Sequence, residues 1–241
     1  MSRILIGLDD TDCPGARIST ARLARMLGET FAKRAKFLGA ISHMLYRGVE
    51  ATTNNKASCL ILEDGGQLDI EAVLDEAGAF IERHAEPSSG PGLVVTREAP
   101  PEAVRFGIEA SNRLVSRAEA RPCLASLPHR LFGVGNGIIG ALAAVGLTEN
   151  GWSGRWLEYR QVRGLDLRGF DRDVQVSALT RLGVFVVSLE NDAEAPAPQD
   201  LIDTRRWLRP QLLAGQPVLP VRRVGPGLWE IASVKRTERS Y

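Results

Sequence analysis

Ile4-Leu5-Ile6-Gly7-Leu8-Asp9-Asp10-Thr11-Asp12 is the stretch whose reading decides the fold. The apolar run Ile4–Leu8 predicts a buried first strand, because it shows no alternation of wet and dry positions. Three carboxylates then fall within four residues at its end. Like charges about 4 Å apart repel by ~1 kcal/mol in water and by ~4 kcal/mol at an effective dielectric of about 20. Converging them gains nothing structural unless a cation sits there. Mg²⁺ is the natural candidate, since it takes a few carboxylates, keeps waters and bridges to phosphates. Asp9, Asp10 and Asp12 are therefore the candidate metal ligands. The competing reading is a solvated acidic turn.

Downstream, a Gly/Pro loop to Ala16 leads to Ser19 or Thr20, which offers an N-cap to a helix with Leu23, Leu27 and Phe31 on its dry side. Arg22, Arg25, Glu29 and Lys33 lie on the wetter side. The hydroxyls of Ser19 and Thr20, with free N–H groups at a helix start, make an anion site beside the carboxylates. They also serve as plain caps. Asp10-Thr11-Asp12 fits the Asp-x-Asp of aspartate-nucleophile phosphatases, but the downstream Lys and acidic-pair motifs are missing, and that reading is set aside.

Phe37–Tyr46 and Ala57–Leu62 predict two further strands, and Gly65-Gly66 a turn. Ile70, Val73, Leu74, Ala77, Phe80 and Ile81 form the stripe of an amphipathic helix. The β-α-β-β-α order is that of an α+β layer. Glu86-Pro87-Ser88-Ser89-Gly90-Pro91-Gly92 is the best boundary signal, so the expectation is two tandem α/β-sandwich units, 1–88 and 91–241. The second begins with a strand, Leu93–Thr96, and a helix from Pro100-Pro101 to about Arg117. Strands at Trp156–Val162 and Val184–Leu189 follow. A short helix near Leu201–Leu208 and extended Val218–Arg222 and Leu228–Ile231 end the pattern.

Gly135, Gly137 and Gly140 spell a literal G-x-G-x-x-G. A dinucleotide fold needs an apolar strand immediately before it and a long helix after. Pro128-His129-Arg130 precedes it instead, and Gly146 is expected to cut the helix short after Val145, so the dinucleotide reading is rejected. What remains is a loop whose backbone N–H groups can approach a ligand closely, with tight helix packing as the alternative.

The chain has 241 residues, 30 Lys+Arg against 29 Asp+Glu, and 44% hydrophobic residues. The near-zero sum hides a distribution: +4 over residues 1–60, −8 over 61–200 and +5 over 201–241. The two basic ends form a polyanion surface if folding brings them together. Cys13, Cys59 and Cys123 are odd in number and widely spaced, which argues against a disulfide framework and a zinc ribbon. No apolar run approaches the ~20 residues that span a bilayer, and the first residues lack a secretory h-region. The expectation is a soluble cytoplasmic protein with no membrane partner.

Together, three segments resemble the archaeal tRNA-Ile agmatidine synthetase (TiaS) family. They are Gly7-Leu8-Asp9-Asp10-Thr11-Asp12 with the hydroxyl pair Ser19-Thr20; Pro91-Gly92-Leu93-Val94-Val95; and Gly135-Asn136-Gly137-Ile138-Ile139-Gly140 running to Gly146, with Leu157-Glu158-Tyr159-Arg160 beyond. Fainter similarity continues at Phe185, Asn191-Asp192 and Gln216–Pro220. The resemblance implies a kinase-like ATP-handling first domain and a ferredoxin-like second one that helps hold an agmatine-like amine. It implies ATP and Mg²⁺ as cofactors and tRNA as a partner. Asp9, Asp10, Asp12 and Ser19 would be catalytic. Gly7, Thr11, Thr20, Lys56, Gly135, Asn136, Gly137 and Gly140 would bind the cofactor.

There are departures. The family's Lys-Thr-x-Gly-Asn stretch reads Thr52-Thr53-Asn54-Asn55-Lys56 here, with the lysine displaced. Cys13 follows the acidic signature where the family has serine, and Ile18 replaces a cysteine. The family continues into an OB-fold and a zinc ribbon, beyond what these 241 residues hold. The expected function is ATP- and Mg-dependent phosphoryl or nucleotidyl transfer that activates an acceptor, tRNA or a small molecule, for attack by an amine. Arg22, Arg25, Arg222 and Arg223 are expected to recruit a polyanion. The rival reading is a non-catalytic nucleotide- or RNA-binding accessory protein of the same fold. A small-molecule kinase or amidating enzyme is the third.

Overall fold

The first strand, β1 (Arg3–Asp9), is central in its sheet, paired antiparallel on one edge to β3 (Lys56–Glu63) and on the other to β4 (Gly92–Thr96). It is dry on both faces, which is why it reads as a continuous apolar run. The computed structural model describes residues 2–48, 55–160, 167–190 and 194–232. Alternation along β1 assigns the faces. Ile4, Ile6 and Leu8 pack with α1 (Thr20–Thr30) and α2 (Ile70–His84) in one core. Leu5 belongs to the other core, beneath α3 (Pro101–Asn112) and α5 (Gly137–Asn150). The same alternation turns Gly7 toward α5, and a Cβ there would lie 2.2 Å from the Ala141 carbonyl oxygen. Asp9 ends that row.

In the described residues twelve strands join one sheet. The order runs from β5 (His129–Leu131) through β4, β1 and β3 to β2 (Lys36–Met44) and β6 (Arg155–Tyr159). It continues with β10 (Gln211–Leu213), β11 (Gln216–Gly225), β12 (Leu228–Ile231), β9 (Leu201–Asp203) and β7 (Asp173–Gln175), while β8 (Phe185–Ser188) pairs with β11. Most pairs are antiparallel, but β8 with β11 and β9 with β12 are parallel. The fold class is α+β, as expected. The Pro/Gly stretch at 86–92 delivers the chain to β4 beside β1.

The expected first strand, the Ser19-capped helix, the two strands after it and the striped helix all form, within three residues of their expected bounds. Four local expectations are corrected. The helix from Pro101 stops at Asn112, where Arg113 turns extended, and Ser116 starts α4 (Arg117–Leu124) with a capping box to Glu119. Leu201–Asp203 is a strand rather than the start of a helix, held by parallel pairing with β12. The strand at Trp156 ends at Tyr159, and residues 161–166, with Val162, lie outside the described residues, as do Thr52–Asn54 and Asn191-Asp192. Finally, Gly146 does not stop the helix.

That helix, α5, is apolar all round and buried on nearly every side between the sheet and α3. It ends at Gly151, in the left-handed conformation. Gly146 sits where α5 crosses α3: a Cβ would come within 2.1 Å of the Ala103 carbonyl oxygen, and Gly107 of α3 meets the Ala143 carbonyl reciprocally. The glycine is a contact point between helices. Gly146→Ala is therefore expected to lower stability by about 3 kcal/mol, the upper end of overpacking costs. At about 2–4 °C per kcal/mol for a chain this long, thermal melting should fall by roughly 6–12 °C. An unchanged melting temperature would refute the close crossing.

Candidate functional site

The left-handed turn of Asp10 (φ 55°) ends β1 and carries the chain into the acidic loop. Asp12 turns its carboxylate onto the start of α1: Oδ2 accepts from the Thr20 N–H at 3.2 Å and Oδ1 from the Thr20 hydroxyl at 3.0 Å. Thr20 Oγ1 accepts in turn from the hydroxyl and N–H of buried Thr11, at 3.0 and 3.3 Å. Ser19, exposed, caps α1 by accepting from the Arg22 N–H at 3.3 Å. Asp10 Oδ2 accepts from the Gly90 N–H at 3.2 Å.

The glycine-rich segment closes over this strand end. Gly137 donates its N–H to the Gly90 carbonyl at 2.9 Å. A Cβ on Gly137 would lie 2.5 Å from the Asp9 carbonyl oxygen, and one on Gly140 would lie 1.8 Å from Asp9 Oδ2. Gly135 takes a left-handed φ of 65° to make the turn into α5. Asn136 caps α5 without a side-chain bond to the helix and stays exposed. The two motifs that the sequence separates by more than a hundred residues thus meet at one strand end.

Their junction forms the floor of a cleft of about 160 Å³, whose walls include Asp9, Tyr46, Asn55, Arg113, Asn136 and Gly140. Asp9 keeps a sliver of surface in this cleft, yet its carboxyl is enclosed deeply enough that lost solvation pushes its pKa up to about 8. The charges of Asp10 and Asp12 add to that rise, and the Asp10 N–H opposes it. A carboxyl so placed holds a proton at neutral pH until a positive charge compensates. Asp10 is also raised, first by burial and then by Asp12, against the pull of the Gly90 N–H.

Lys56 begins β3 at the same end of the sheet, and burial followed by the charges of Arg155 and Arg47 lowers its pKa. Tyr46 and Arg113 are site residues that sequence reasoning missed. Tyr46 donates its N–H to the Ala110 carbonyl, and Asn55 donates its amide to the Tyr46 carbonyl at 2.7 Å. Arg113 is held by Glu109 and Glu119. No local spacing marks them, because their place depends on the break between α3 and α4.

Two of the arginines expected to recruit a polyanion are neutralised. Arg25 pairs with Glu158, and Arg223 with Glu194 while covering the Trp229 ring. Arg22 and Arg222 remain exposed. Among the described residues no group of three or more His, Cys, Asp or Glu is arranged to hold a metal ion. None of their helices is long and apolar enough to cross a membrane.

No protein-family model matches the chain. A curated relative from Methanopyrus kandleri, the tRNA 2-agmatinylcytidine synthetase TiaS, is 29% identical over 233 residues, 83% of this chain and 53% of its own length. Solved structures agree. The complex of TiaS with its isoleucine tRNA and ATP superposes with a TM-score of 0.54 at 28% identity, over 61% of this chain and 36% of that one. The chain is similar to TiaS in sequence and in fold. The complex of TiaS with the same tRNA, AMPCPP and agmatine gives a TM-score of 0.52 at 27% identity over the same shares. The tRNA fluorescent labelling enzyme gives 0.51 at 28%, over 60% of this chain and 36% of that chain. The chain thus spans about half the length of the curated relative it matches.

Proposed function

We propose that this chain is an ATP- and Mg²⁺-dependent enzyme that activates an acceptor by phosphoryl or nucleotidyl transfer, after which an amine displaces the activating group. The observation that carries the reading is the approach of Gly140, in the first turn of α5, to the Asp9 carboxylate. It sets the positive end of the α5 dipole, suited to phosphate, beside carboxylates suited to Mg²⁺. The solved complexes of TiaS with ATP and with AMPCPP and agmatine support the ligand classes.

The donor set fits the metal. Mg²⁺ usually takes one or two protein carboxylates and completes its shell with water and substrate phosphates, so it needs no cage of three acids. In this proposal Asp9 and Asp10 face the cation, and Asp12 adds to the field while holding Thr20 and Thr11 in place. The bound ion would neutralise phosphate charge and orient the transferred group. Gly135 and Gly137 shape the phosphate loop, their own N–H groups donating to the Phe132 and Gly90 carbonyls; Asn136 and Gly140 stand at the start of α5, Gly7 lets α5 come this close, and Lys56 and the Ser19 hydroxyl stand at the edge of the phosphate region. Residues 1–88 contribute the acidic strand end and residues 91–241 the glycine-rich helix, which is the sense in which the two parts act as functional units. The acceptor is a tRNA nucleotide or a small molecule, and the amine is agmatine-like.

Isothermal titration with ATP and Mg²⁺ tests this. Wild type should show magnesium-dependent binding, and Asp10→Asn should weaken it at least tenfold, about 1.4 kcal/mol. No magnesium-dependent binding by the wild type would end the proposal. One observation favours a second reading, a non-catalytic binding protein: both oxygens of Asp12 are already engaged by Thr20. Release of ADP, or of AMP and pyrophosphate, with candidate acceptors decides against it.

A further inference from the structure

Strand β8 lies at an open edge of the sheet. Among the described residues it pairs with β11 alone, in parallel register from Phe185 opposite Val218 to Ser188 opposite Val221. Alternation along the strand assigns its faces. Val186 stands beside Leu219 and packs on the core to which Leu219 and Val221 belong. Phe185, Val187 and Leu189 therefore point away from that core, and they are 49%, 38% and 43% exposed. The same alternation sorts the backbone. Leu189 donates its N–H to the Val221 carbonyl at 3.0 Å, so the peptide groups of Phe185, Val187 and Leu189 turn to β11 and those of Val186 and Ser188 face the open edge. The groups to either side are satisfied. Val184 donates its N–H to the Leu179 carbonyl of α6 (Val176–Arg181), and Glu190 donates its N–H to the Ser188 hydroxyl, both at 3.0 Å.

Edge strands are ordinarily blunted by lysine, proline, an inward charge or a bulge. Phe185–Ser188 has none of these, and its register with β11 is unbroken. Two features indicate what pairs with it. The first is self-complementarity. Antiparallel pairing of Val186 with Ser188 of a second copy, and of Ser188 with Val186, lets the bare peptide groups bond reciprocally about a two-fold axis at Val187. That register also sets Phe185 against Leu189 of the other copy and Val187 against itself, so the apolar row covers its own image. The second feature is charge. Arg181 precedes the strand and Glu190 follows it, both exposed. Neither forms an ion pair among the described residues, whereas nearby Arg223 and Glu194 do. Antiparallel pairing brings each Arg181 to the Glu190 end of the other copy.

We propose that β8 joins β8 of a second copy of this chain, antiparallel about Val187, in a weak two-fold dimer whose sheet runs through both copies. Nothing in this rests on the nucleotide reading above. One short strand per copy keeps the contact at the small end of specific interfaces, below about 1,200 Å² in total, so association depends on concentration. Sedimentation velocity of the full chain from about 5 to about 500 µM tests it, a span that brackets dissociation constants of about 10–100 µM. The wild type should pass from monomer to dimer across that span. Val187→Lys sets two ammonium groups opposite each other on the axis and should weaken the dimer at least about tenfold. Glu190→Arg alone and Arg181→Glu alone should each weaken it, and the two together should restore it, because only an antiparallel contact joins these ends. Circular dichroism checks each fold, and if Val187→Lys fails to fold, the exposed Arg181 and Glu190 variants decide. A wild type that stays monomeric, a dimer indifferent to Val187→Lys, or a charge exchange that restores nothing would overturn the proposal.

Discussion

Gly140→Ala is expected to weaken magnesium-dependent ATP binding by at least a hundredfold. The new Cβ would lie 1.8 Å from Asp9 Oδ2 and 2.5 Å from its Cγ, closer than any real contact. The helix cannot retreat, because Gly137 is pinned to Gly90 and a Cβ on Gly7 shows the backbone of α5 already touching β1. The Asp9 carboxylate must therefore rotate out of the cleft, taking the nearest negative charge from the phosphate-facing end of α5. Overpacking of this kind also costs about 1–3 kcal/mol of stability, or roughly 2–4 °C of melting temperature per kcal/mol. Calorimetric titration and thermal melting read the two effects separately. A double variant, Asp9→Gly with Gly140→Ala, removes the carboxylate and also the Asp9 Cβ, which would lie 2.8 Å from the new one. It should regain part of the stability while binding stays lost, a coupling that a double-mutant cycle measures. ATP binding by Gly140→Ala at wild-type strength would show that the approach of α5 to Asp9 is irrelevant to nucleotide.

Much of the architecture is legible locally. Ile4–Leu8 reads as a buried strand because it is dry on both faces, and Ser19 reads as a cap because a hydroxyl before an apolar repeat has that use. The acidic end and the glycine-rich segment are each legible as unusual, since neither pattern helps an isolated element. That they touch is not legible, because it depends on β4 taking the edge of β1 and on α5 lying across it. Gly146 misleads for a related reason. A glycine inside an apolar run weakens a helix in isolation, and only the crossing with α3 reveals what it is for. Leu201–Asp203 carries too little periodicity to separate strand from helix, and its parallel partner, β12, comes later in the chain. Tyr46 and Arg113 become site residues through tertiary placement alone. Net charge behaves likewise: the +4 of residues 1–60 and the +5 of residues 201–241 do meet, at Arg47, Lys56 and Arg209, but through β6 and β10 rather than through the arginines of α1.

Arg97→Ala is expected to destabilise the fold by about 3 kcal/mol at neutral pH, the lower end of the cost of breaking a buried ion pair. Asp64 follows β3 with its side chain fully enclosed. It accepts both arms of the Arg97 guanidinium at 2.9 Å, the Gly66 N–H at 3.0 Å and the Leu68 N–H at 2.8 Å. Arg97 also donates to the Leu68 carbonyl and the Ser2 hydroxyl, both at 2.6 Å, so one side chain fastens the end of β4 to the starts of β1 and α2. Its guanidinium outweighs the burial that would raise Asp64, and with the two N–H groups it holds that carboxyl well below the ordinary carboxylate range. A carboxyl depressed in the folded state stabilises above its unfolded value, near pH 4, and loses that contribution as pH falls toward the folded value. Wild-type melting temperature should therefore drop steeply below about pH 4. The variant, stripped of the main cause of the depression, should start roughly 6–12 °C lower at neutral pH and fall less, so the two curves converge in acid. Arg97→Lys should recover only part of the loss, since an ammonium cannot grip both oxygens at once. Parallel curves, offset by the same amount at pH 7 and pH 3, would mean that Arg97 acts by packing alone and that its charge on Asp64 is incidental.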